Sequence, residues 1–266
     1  MSRPVSTYRV QLTPDFGFAE VAKIAPYLRD LGVSHVYLSP VLQAVPGSLH
    51  GYDVVDHSRI RQEFGGAQGF REMAGVLAAH DLAVVVDIVP NHMNTANAQF
   101  LSVLEQGAAS PYADWFDIEW REGKVIVHRF ADDLPQSEHY TVVDWREGPG
   151  YRRFFDVSSL IGLRVEDPAV FFATHEVIFW LLDEGLVEGL RIDHPDGLAD
   201  PAATSTCSGT GAAASGRWWR RSSSATSGCL TTGPATAPPV TTCSTGSTGC
   251  SSTRRAGSRW WSCSPR

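Results

Sequence analysis

The sequence predicts an α/β protein of the (β/α)8 TIM-barrel class, in which about the first four β/α units are present. Two observations support this prediction. Apolar residues alternate between the period of strands and the period of helices in the order β-α-β-α-β-insert-α-β, which is typical of parallel βαβ units. The composition then changes abruptly after Asp200, and the alternation ends there.

The first βαβ unit follows from the apolar pattern. Alternating side chains at Tyr8, Val10 and Leu12 predict the first strand. An amphipathic pattern over residues 19–31, followed by a glycine, predicts the first helix, and residues 33–38 are predicted to form the second strand.

The other barrel elements are predicted in the same way. Apolar spacing around residues 70–77 indicates the second helix, and the nearly continuous apolar run 82–89 indicates a strand that is buried on both faces. The third helix is predicted to begin at Pro168 and end at Gly185, and residues 186–192 to form the fourth strand.

The chain is therefore predicted to have three parts. Residues 1–93 and 168–200 form the first half of a barrel, whose complete form takes about 250 residues. Residues 94–167 are too many for a simple loop and are predicted to form an inserted subdomain after the third strand. Its sub-core is expected to come from six aromatic residues: Trp115, Phe116, Trp120, Tyr140, Trp145 and Tyr151.

Residues 201–266 differ from the rest in composition. They contain seven arginines and no acidic residue, whereas residues 1–200 contain 15 basic residues and all 29 acidic ones. Ser, Thr, Ala, Gly and Pro dominate, so we expect this segment to be disordered. The arginines are dispersed and the preceding part is acidic, which together disfavour nucleic acid as a partner.

Other features exclude further classes of protein. No apolar run approaches the roughly 18 residues of a membrane span, and no signal-peptide pattern is present, so we expect a cytoplasmic protein with no membrane partner. The five cysteines form no Cys-x-x-Cys pair and have no histidine nearby, which disfavours a metal site.

Segment 187–197 is the strongest candidate for chemistry. Alternate side chains of a strand share a face, so Arg191 and Asp193 point one way, and Leu190 and Ile192 the other. In a β/α barrel the charged pair then faces the mouth, where barrel enzymes hold their catalytic groups. A guanidinium favours the ionised form of a neighbouring carboxylate, which suits a nucleophile or an electrostatic stabiliser. The alternative is a structural ion pair.

Two more segments with polar side chains follow the ends of predicted strands, at the same mouth of the predicted barrel. After the third strand, Asp87 can orient polar groups and His92 can hydrogen-bond a substrate hydroxyl; the alternative is a capping Asp and a satisfied loop His. After the second strand, Tyr52 in segment 48–53 offers a flat face for a sugar ring, or else shields the interior from solvent.

Together these segments resemble the alpha-amylase family of glycosidases. Residues 87–92 are similar to the first signature of the family and residues 189–194 to the second. Further segments resemble one branch of the family, which rearranges the reducing end of maltooligosaccharides: YLSPVLQA (37–44), HGYDVVD (50–56), YRRFFD (151–156), GLRVEDP (162–168) and residues 193–201. The resemblance covers residues 6–201, about the first third of a family member.

The resemblance implies a retaining transglycosidase. Asp193 forms a covalent glycosyl intermediate, and Arg191 holds it ionised. The reaction turns the reducing-end α-1,4 link of a maltooligosaccharide, such as one derived from glycogen, into an α,α-1,1 link for trehalose synthesis. No metal or organic cofactor is implied. The implied substrate-binding residues are Asp87, His92, Tyr52, His50, Asp53 and His194; of these, His92 and Tyr52 contact the sugar at the cleavage subsite, and Asp87 supports that wall.

One required group is missing. A retaining glycosidase uses two carboxyl groups about 5–5.5 Å apart, and the resemblance places the acid/base Glu on the fifth strand. No Asp or Glu follows Asp200, so we expect this chain to be inactive. We hypothesise that the tail is a frame-shifted translation of a G/C-rich gene. In the shifted frame, the codons that overlap residues 237–255 can encode GTTGYDVLNRVNGLLVDPAG. The shifted codons within residues 217–223 can encode VVEKIL, with a Glu codon across Trp219 and Arg220.

Two other functions stay open. An alpha-amylase-type hydrolase would release reducing sugar from starch, but segments 151–156 and 162–168 favour the transglycosidase branch. A non-catalytic fragment would bind maltooligosaccharides through Tyr52, His92 and Asp193 without converting them.

Resequencing the gene across the Asp200 codon tests the frame-shift hypothesis. We expect a single-base correction to open a long reading frame that encodes the missing Glu, because the shifted codons resemble the continuation of the family. A confirmed sequence that offers no such frame would contradict the hypothesis.

Overall fold

The computed structural model describes residues 5–128, 134–144, 146 and 150–199, together with the backbone of residues 218–221 and 229–231. All of these residues lie in one compact unit, residues 1–236. Among them, no helix is both long enough and apolar enough to cross a membrane. The cytoplasmic location stays a prediction.

The described chain contains five α-helices and fourteen strands. The helices are α1 (Phe18–Lys23), α2 (Ala25–Asp30), α3 (Gly66–Ala78), α4 (Ala98–Gln106) and α5 (Pro168–Asp183). The first seven strands are β1 (Thr7–Val10), β2 (His35–Leu38), β3 (Leu42–Ala44), β4 (Val54–Ile60), β5 (Ala83–Ile88), β6 (His92–Asn94) and β7 (Trp120–Arg121). The others are β8 (Lys124–His128), β9 (Tyr140–Val143), β10 (Arg153–Phe154), β11 (Val157–Gly162), β12 (Gly189–Ile192), β13 (Trp218–Arg221) and β14 (Cys229–Thr231).

The main sheet has the strand order β1-β2-β5-β12-β13-β14. The first five strands of this order are parallel, and β14 runs antiparallel to β13. The four predicted strands are β1, β2, β5 and β12, and the predicted helices lie in the connections between them. Among the described strands the sheet stays open, with β1 and β14 at its two ends. The connection from β12 to β13 lies outside the described residues.

The first predicted helix is wrong in one respect. Residues 19–31 form two short helices, α1 and α2, which meet at Ile24. Pro26 lies in the first turn of α2. Because proline has no N–H and its ring clashes with the carbonyl four residues earlier, a single helix does not run through this position. The β3–β4 hairpin that follows β2 was also not predicted.

The main core lies between the sheet and helices α1, α2, α3 and α5. Leu190 and Ile192 of β12 are buried in it, as the alternation predicts. Phe18 is fully buried, and its ring meets those of Phe64 and Phe70 edge-on at centroid distances of 5.8 and 5.2 Å. These contacts hold α1 and α3 together and fix the outer layer behind the strands.

The insert has its own apolar cluster, as predicted. Phe116 and Tyr151 are buried, and Trp115, Trp120 and Tyr140 pack against them partly buried. The cluster also includes residues that the aromatic pattern did not indicate: Met93, Phe100, Val103, Leu104, Ile161, Leu163 and Leu198. Trp145 lies outside the described residues. The boundaries of the predicted subdomain remain a prediction.

Seven residues of the tail depart from the expected disorder. The backbone of β13 pairs in parallel with β12, and β14 pairs with β13. This pairing forms because the outer edge of β12 presents backbone N–H and C=O groups, which a further strand provides with hydrogen-bond partners. The rest of residues 201–266 lies outside the described residues, and its predicted disorder stays a prediction.

Two phenylalanine substitutions test the core. Phe18→Ala is expected to lower the free energy of unfolding by about 3–5 kcal/mol, because it leaves a cavity beside two other rings. Phe172→Ala is the matched control, since this ring on α5 is 61% exposed, and it is expected to change the value by less than about 1 kcal/mol. Urea denaturation measures both. Equal losses in the two variants would contradict the placement of the core.

Candidate active site

Two neighbouring parallel strands hold the charged centre. Arg191 of β12 and Asp87 of β5 are direct partners in the strand register, so their side chains lie on the same face of the sheet. Arg191 Nη1 lies 2.9 Å from each carboxylate oxygen of Asp87 and 2.5 Å from Oδ1 of Asp193. The predicted pairing of Arg191 with Asp193 is therefore observed, and Asp87 shares the same guanidinium.

Two phenol groups complete the surroundings of Asp87. The hydroxyls of Tyr37 and Tyr52 donate to Oδ2 of Asp87 at 2.7 and 2.6 Å. Burial, followed by the nearby Asp87 charge, raises the pKa of Tyr52 to about 12 and raises the pKa of Tyr37 as well. Both phenols are therefore neutral donors at neutral pH. The sequence reasoning missed Tyr37, although its position between buried Val36 and Leu38 places it on the polar face of β2.

Opposing effects act on the charges of this centre. Burial raises the pKa of Asp87, while the Arg191 charge and the hydrogen bonds from Tyr52, Arg191 and Tyr37 lower it in part. Burial lowers the pKa of Arg191, but the Asp87 carboxylate outweighs that effect, and the net pKa is raised. All the hydrogen bonds described here point toward the Asp87 oxygens, so the geometry is that of a carboxylate.

His92 begins β6 and contacts the loop that carries Tyr52. Its ring is fully buried and stacks on Phe154 at a centroid distance of 3.9 Å, and its Nε2–H donates to the carbonyl oxygen of Tyr52 at 3.1 Å. Burial lowers the pKa of His92 to about 3, so the ring is neutral. Phe154 stacks on a face of the ring, and Nδ1, in the ring plane, has no hydrogen-bond partner among the described residues. The expected hydrogen bond from His92 to a substrate hydroxyl stays a prediction. His92 supports Tyr52 and Phe154 from behind.

The loop that carries Tyr52 is fixed by hydrogen bonds among its own residues. Ser48 Oγ donates to Asp53 Oδ1 at 2.6 Å and accepts from Gly51 N at 3.1 Å. His50 Nδ1 accepts from Tyr52 N at 3.1 Å, and the two rings stack with centroids 6.1 Å apart. Thus Asp53 stabilises the loop, while the His50 side chain is 57% exposed beside Tyr52, where a ligand can reach it.

An aromatic cluster stands beside Asp193. The edges of Phe154 and Phe155 meet His194 at centroid distances of 4.7 and 4.6 Å. Phe155 is 69% exposed, and Phe155, Asp156 and His194 all have positive φ. Non-glycine residues adopt this conformation rarely, and strain of this kind gathers at functional sites. His194 was predicted as a site residue. Phe154 and Phe155 were not, although they lie in segment 151–156, which resembles the transglycosidase branch of the family.

The second carboxyl group of a retaining site is not supplied by Asp87. That side chain is fully buried, and its oxygens already accept hydrogen bonds from Arg191, Tyr37 and Tyr52. The next strand position is held by β13, whose register places residue 220 beside Arg191. This residue is an arginine, and no acidic residue follows Asp200 in the sequence.

The sequence comparison defines the class of the protein. Residues 20–207 match the catalytic domain of the alpha-amylase family, so the chain belongs to this family. The expectation of an alpha-amylase-type barrel, drawn from the strand-end segments, is confirmed.

Individual relatives point to the branch that the additional segments indicated. A putative maltooligosyl trehalose synthase of Mycobacterium tuberculosis (strain H37Rv) is 40% identical over 243 residues, which cover 74% of this chain and 32% of the relative. The structure of maltooligosyltrehalose synthase from Arthrobacter ramosus matches with a TM-score of 0.75 and 38% identity over 82% of this chain and 34% of that one. An intracellular maltogenic amylase of Bacillus subtilis is 38% identical over 169 residues, 63% of this chain and 24% of the relative. The chain spans about a third of the length of the synthases that it matches.

Acid is expected to destabilise the fold through buried histidines. Burial lowers the pKa of His57 and His175 to about 4, whereas an unfolded histidine titrates near 6.5. Between pH 7 and 5 the unfolded state therefore binds more protons, and each of the two residues lowers the free energy of unfolding by an amount on the order of 2 kcal/mol. Urea titrations at pH 7 and pH 5 measure this loss.

Substitution identifies the source of the pH dependence. His175→Gln is expected to reduce the difference between the two pH values, because the unfolded state then has one histidine fewer to protonate. Phe172→Ala, which removes an exposed side chain that does not titrate, serves as the control and is expected to leave the difference unchanged. An identical pH dependence in the wild type and in His175→Gln would show that the buried ring is not responsible.

Proposed function

We propose that this chain is part of a (1→4)-α-D-glucan 1-α-D-glucosylmutase, an isomerase that turns the reducing-end α-1,4 link of maltooligosaccharides into an α,α-1,1 link. The observation that carries the proposal is the arrangement of Asp193: its carboxylate is paired with Arg191 at the strand ends, beside an aromatic cluster in which Phe155 is exposed. The similarity to maltooligosyltrehalose synthases over about a third of their length supports the same branch.

Asp193 is the proposed nucleophile. An Asp193 oxygen attacks the anomeric carbon of the penultimate sugar, a C1–O bond to the enzyme forms, and the C1–O4 bond to the terminal glucose breaks. The departing O4 takes a proton from an acid/base group. The freed glucose then turns, its anomeric hydroxyl gives a proton to the same group, and its O1 attacks C1 and releases Asp193. Two displacements retain the α configuration.

Arg191 and Asp87 prepare the nucleophile. Asp193 must be ionised to attack, and the guanidinium of Arg191 lies 2.5 Å from its Oδ1. Asp87 holds that guanidinium through both of its own oxygens, which fixes the orientation of Arg191. Asp87 therefore acts by positioning Arg191, and it does not itself react.

The aromatic cluster suits retention of the released glucose. Exposed Phe155 and half-buried His194 offer apolar faces beside Asp193 on which a sugar ring can stack. Half-buried Tyr52 is linked to this place through Asp87 and Arg191. An acceptor glucose held there excludes water from the glycosyl intermediate, which favours transfer over hydrolysis.

A second function is favoured for the chain as it stands. β13, the fifth strand in the order of the main sheet, carries Trp219 and Arg220 and no acidic residue. The acid/base group is therefore lacking on this strand. We therefore propose that this chain binds maltooligosaccharides without converting them.

Titration of the purified chain with maltopentaose tests both statements. Calorimetry is expected to show saturable binding, and chromatography is expected to show no trehalose-ended product and no released reducing sugar. Phe155→Ala is expected to weaken binding by about 3- to 10-fold, as loss of one stacked ring usually does. Phe172→Ala is the control, since this phenylalanine on α5 is 61% exposed against 69% for Phe155, and it is expected to bind as the wild type does.

Three results would contradict the proposal in different ways. Trehalose-ended product at a normal rate would mean that an acid/base group is present after all. Release of reducing sugar from starch would favour a hydrolase. Absence of binding would remove the proposed site.

A further inference from the structure

We propose that Arg152 is a positioning residue that fastens the insert to the two loops that carry the site. The inference deepens the proposed function, because the loops concerned are those of Asp193 and the aromatic cluster. The Arg152 guanidinium uses all three of its nitrogens, and it joins three chain segments that are far apart in sequence.

On one side, Arg152 is held by the insert. Its Nε donates to Oδ2 of Asp117 at 3.0 Å, and its Nη2 donates to the carbonyl oxygen of Leu163 at 3.1 Å. The backbone is fixed as well, since Arg152 N donates to the Asp117 carbonyl at 2.8 Å and the Arg152 carbonyl accepts from Gly162 N at 2.7 Å. The side chain thus leaves the insert in a defined direction.

On the other side, Arg152 holds both loops of the site. Its Nη1 donates to Oδ1 of Asn91 at 2.9 Å and approaches the carbonyl oxygen of Gly197 at 3.4 Å. Asn91 lies between β5 and His92, and Gly197 ends the short 3-10 helix that follows His194. Arg152 Nη1 therefore links the loop after β5 with the loop after β12.

Two glycines show how closely the side chains of Arg152 and Asn91 pack against the neighbouring backbone. A Cβ atom at Gly162 would lie 2.6–2.7 Å from the guanidinium of Arg152, and one at Gly197 would lie 2.9 Å from Oδ1 of Asn91. Neither glycine is in the left-handed region, so the backbone conformation does not require glycine at these positions. The close approach of the Arg152 and Asn91 side chains requires it, because a Cβ atom would collide with them.

The contacts of Arg152 reach the site through its neighbours. Phe154, two residues along the chain, covers His92, and Phe155 meets His194. Release of Arg152 would free the insert to shift, and both aromatic contacts would move relative to Asp193. Lysine does not replace the guanidinium, because a single ammonium group lacks the planar fork that reaches three segments.

Hydrogen exchange of single amides tests the proposal in the full chain. In Arg152→Ala and Arg152→Lys, the amides of Leu163 and Gly197 are expected to exchange at least tenfold faster, while the central amides of α3 keep their wild-type rates. Leu163 N donates to the Asn91 carbonyl and Gly197 N to that of His194, so both report on the loops that Arg152 holds. Arg164→Ala is the control, since its exposed ion pairs with Asp114 and Glu166 stay outside this cluster.

A second variant separates positioning from general stability. Gly162→Ala keeps the arginine but fills the space of its guanidinium, and it is expected to produce the same exchange pattern. The double variant with Arg152→Ala is expected to add nothing further, because both changes break one contact. Maltopentaose binding is expected to weaken at least fivefold in the same variants.

Several outcomes would overturn the proposal. Wild-type exchange at Gly197 in Arg152→Ala, fully additive effects in the double variant, or equally faster exchange in α3 would each assign Arg152 a merely structural role. If the wild-type chain does not bind maltopentaose, the proposed function fails, while the exchange rates still decide the role of Arg152.

Discussion

The site depends on one guanidinium that two carboxylates share. Arg191 lies between Asp87 and Asp193; Asp87 is 104 positions from Arg191 in the sequence, and Asp193 follows Arg191 by two residues. A buried carboxylate such as Asp87 is tolerated only when it is paired and fully hydrogen-bonded, which Arg191, Tyr37 and Tyr52 provide together. The parallel register of β5 and β12 must therefore form before the site exists, and helix packing on the far face of the sheet fixes that register.

Much of this arrangement could be predicted because it follows from periodicity within single strands. The alternation of Leu190 and Ile192 with Arg191 and Asp193 determines which side chains face the core and which face the mouth. Even the division of the first helix at Pro26 could have been inferred from the chemistry of proline. By contrast, the stacking of His92 on Phe154 joins residues from two distant segments, and no spacing along the chain indicates such a contact.

The position of His92 shows how tertiary packing gives a side chain surroundings that its place in the sequence does not indicate. A histidine at a strand end is a natural donor to a substrate, but here the insert folds back through β11, which pairs with β6, and brings Phe154 over the ring. Phe155, which is 69% exposed, meets His194 on the same side. The insert, which is less regular than the barrel strands and was not predicted in detail, therefore contributes exposed aromatic surface, while the barrel strands supply the charged groups.

The missing carboxyl group can be placed by the same strand geometry. Adjacent parallel strands lie about 4.8 Å apart, and residues in register share a face, so position 220 on β13 shares the face of Arg191 and lies one strand spacing from it. Retaining chemistry needs a second carboxyl group about 5–5.5 Å from the nucleophile, and the register of β12 with β13 ends at Ile192 and Arg221, one residue before Asp193. The hypothetical shifted codon for Glu spans Trp219 and Arg220, the same part of the strand. The frame-shift hypothesis would thus put the acid/base group on the strand that neighbours β12, one strand spacing from Arg191.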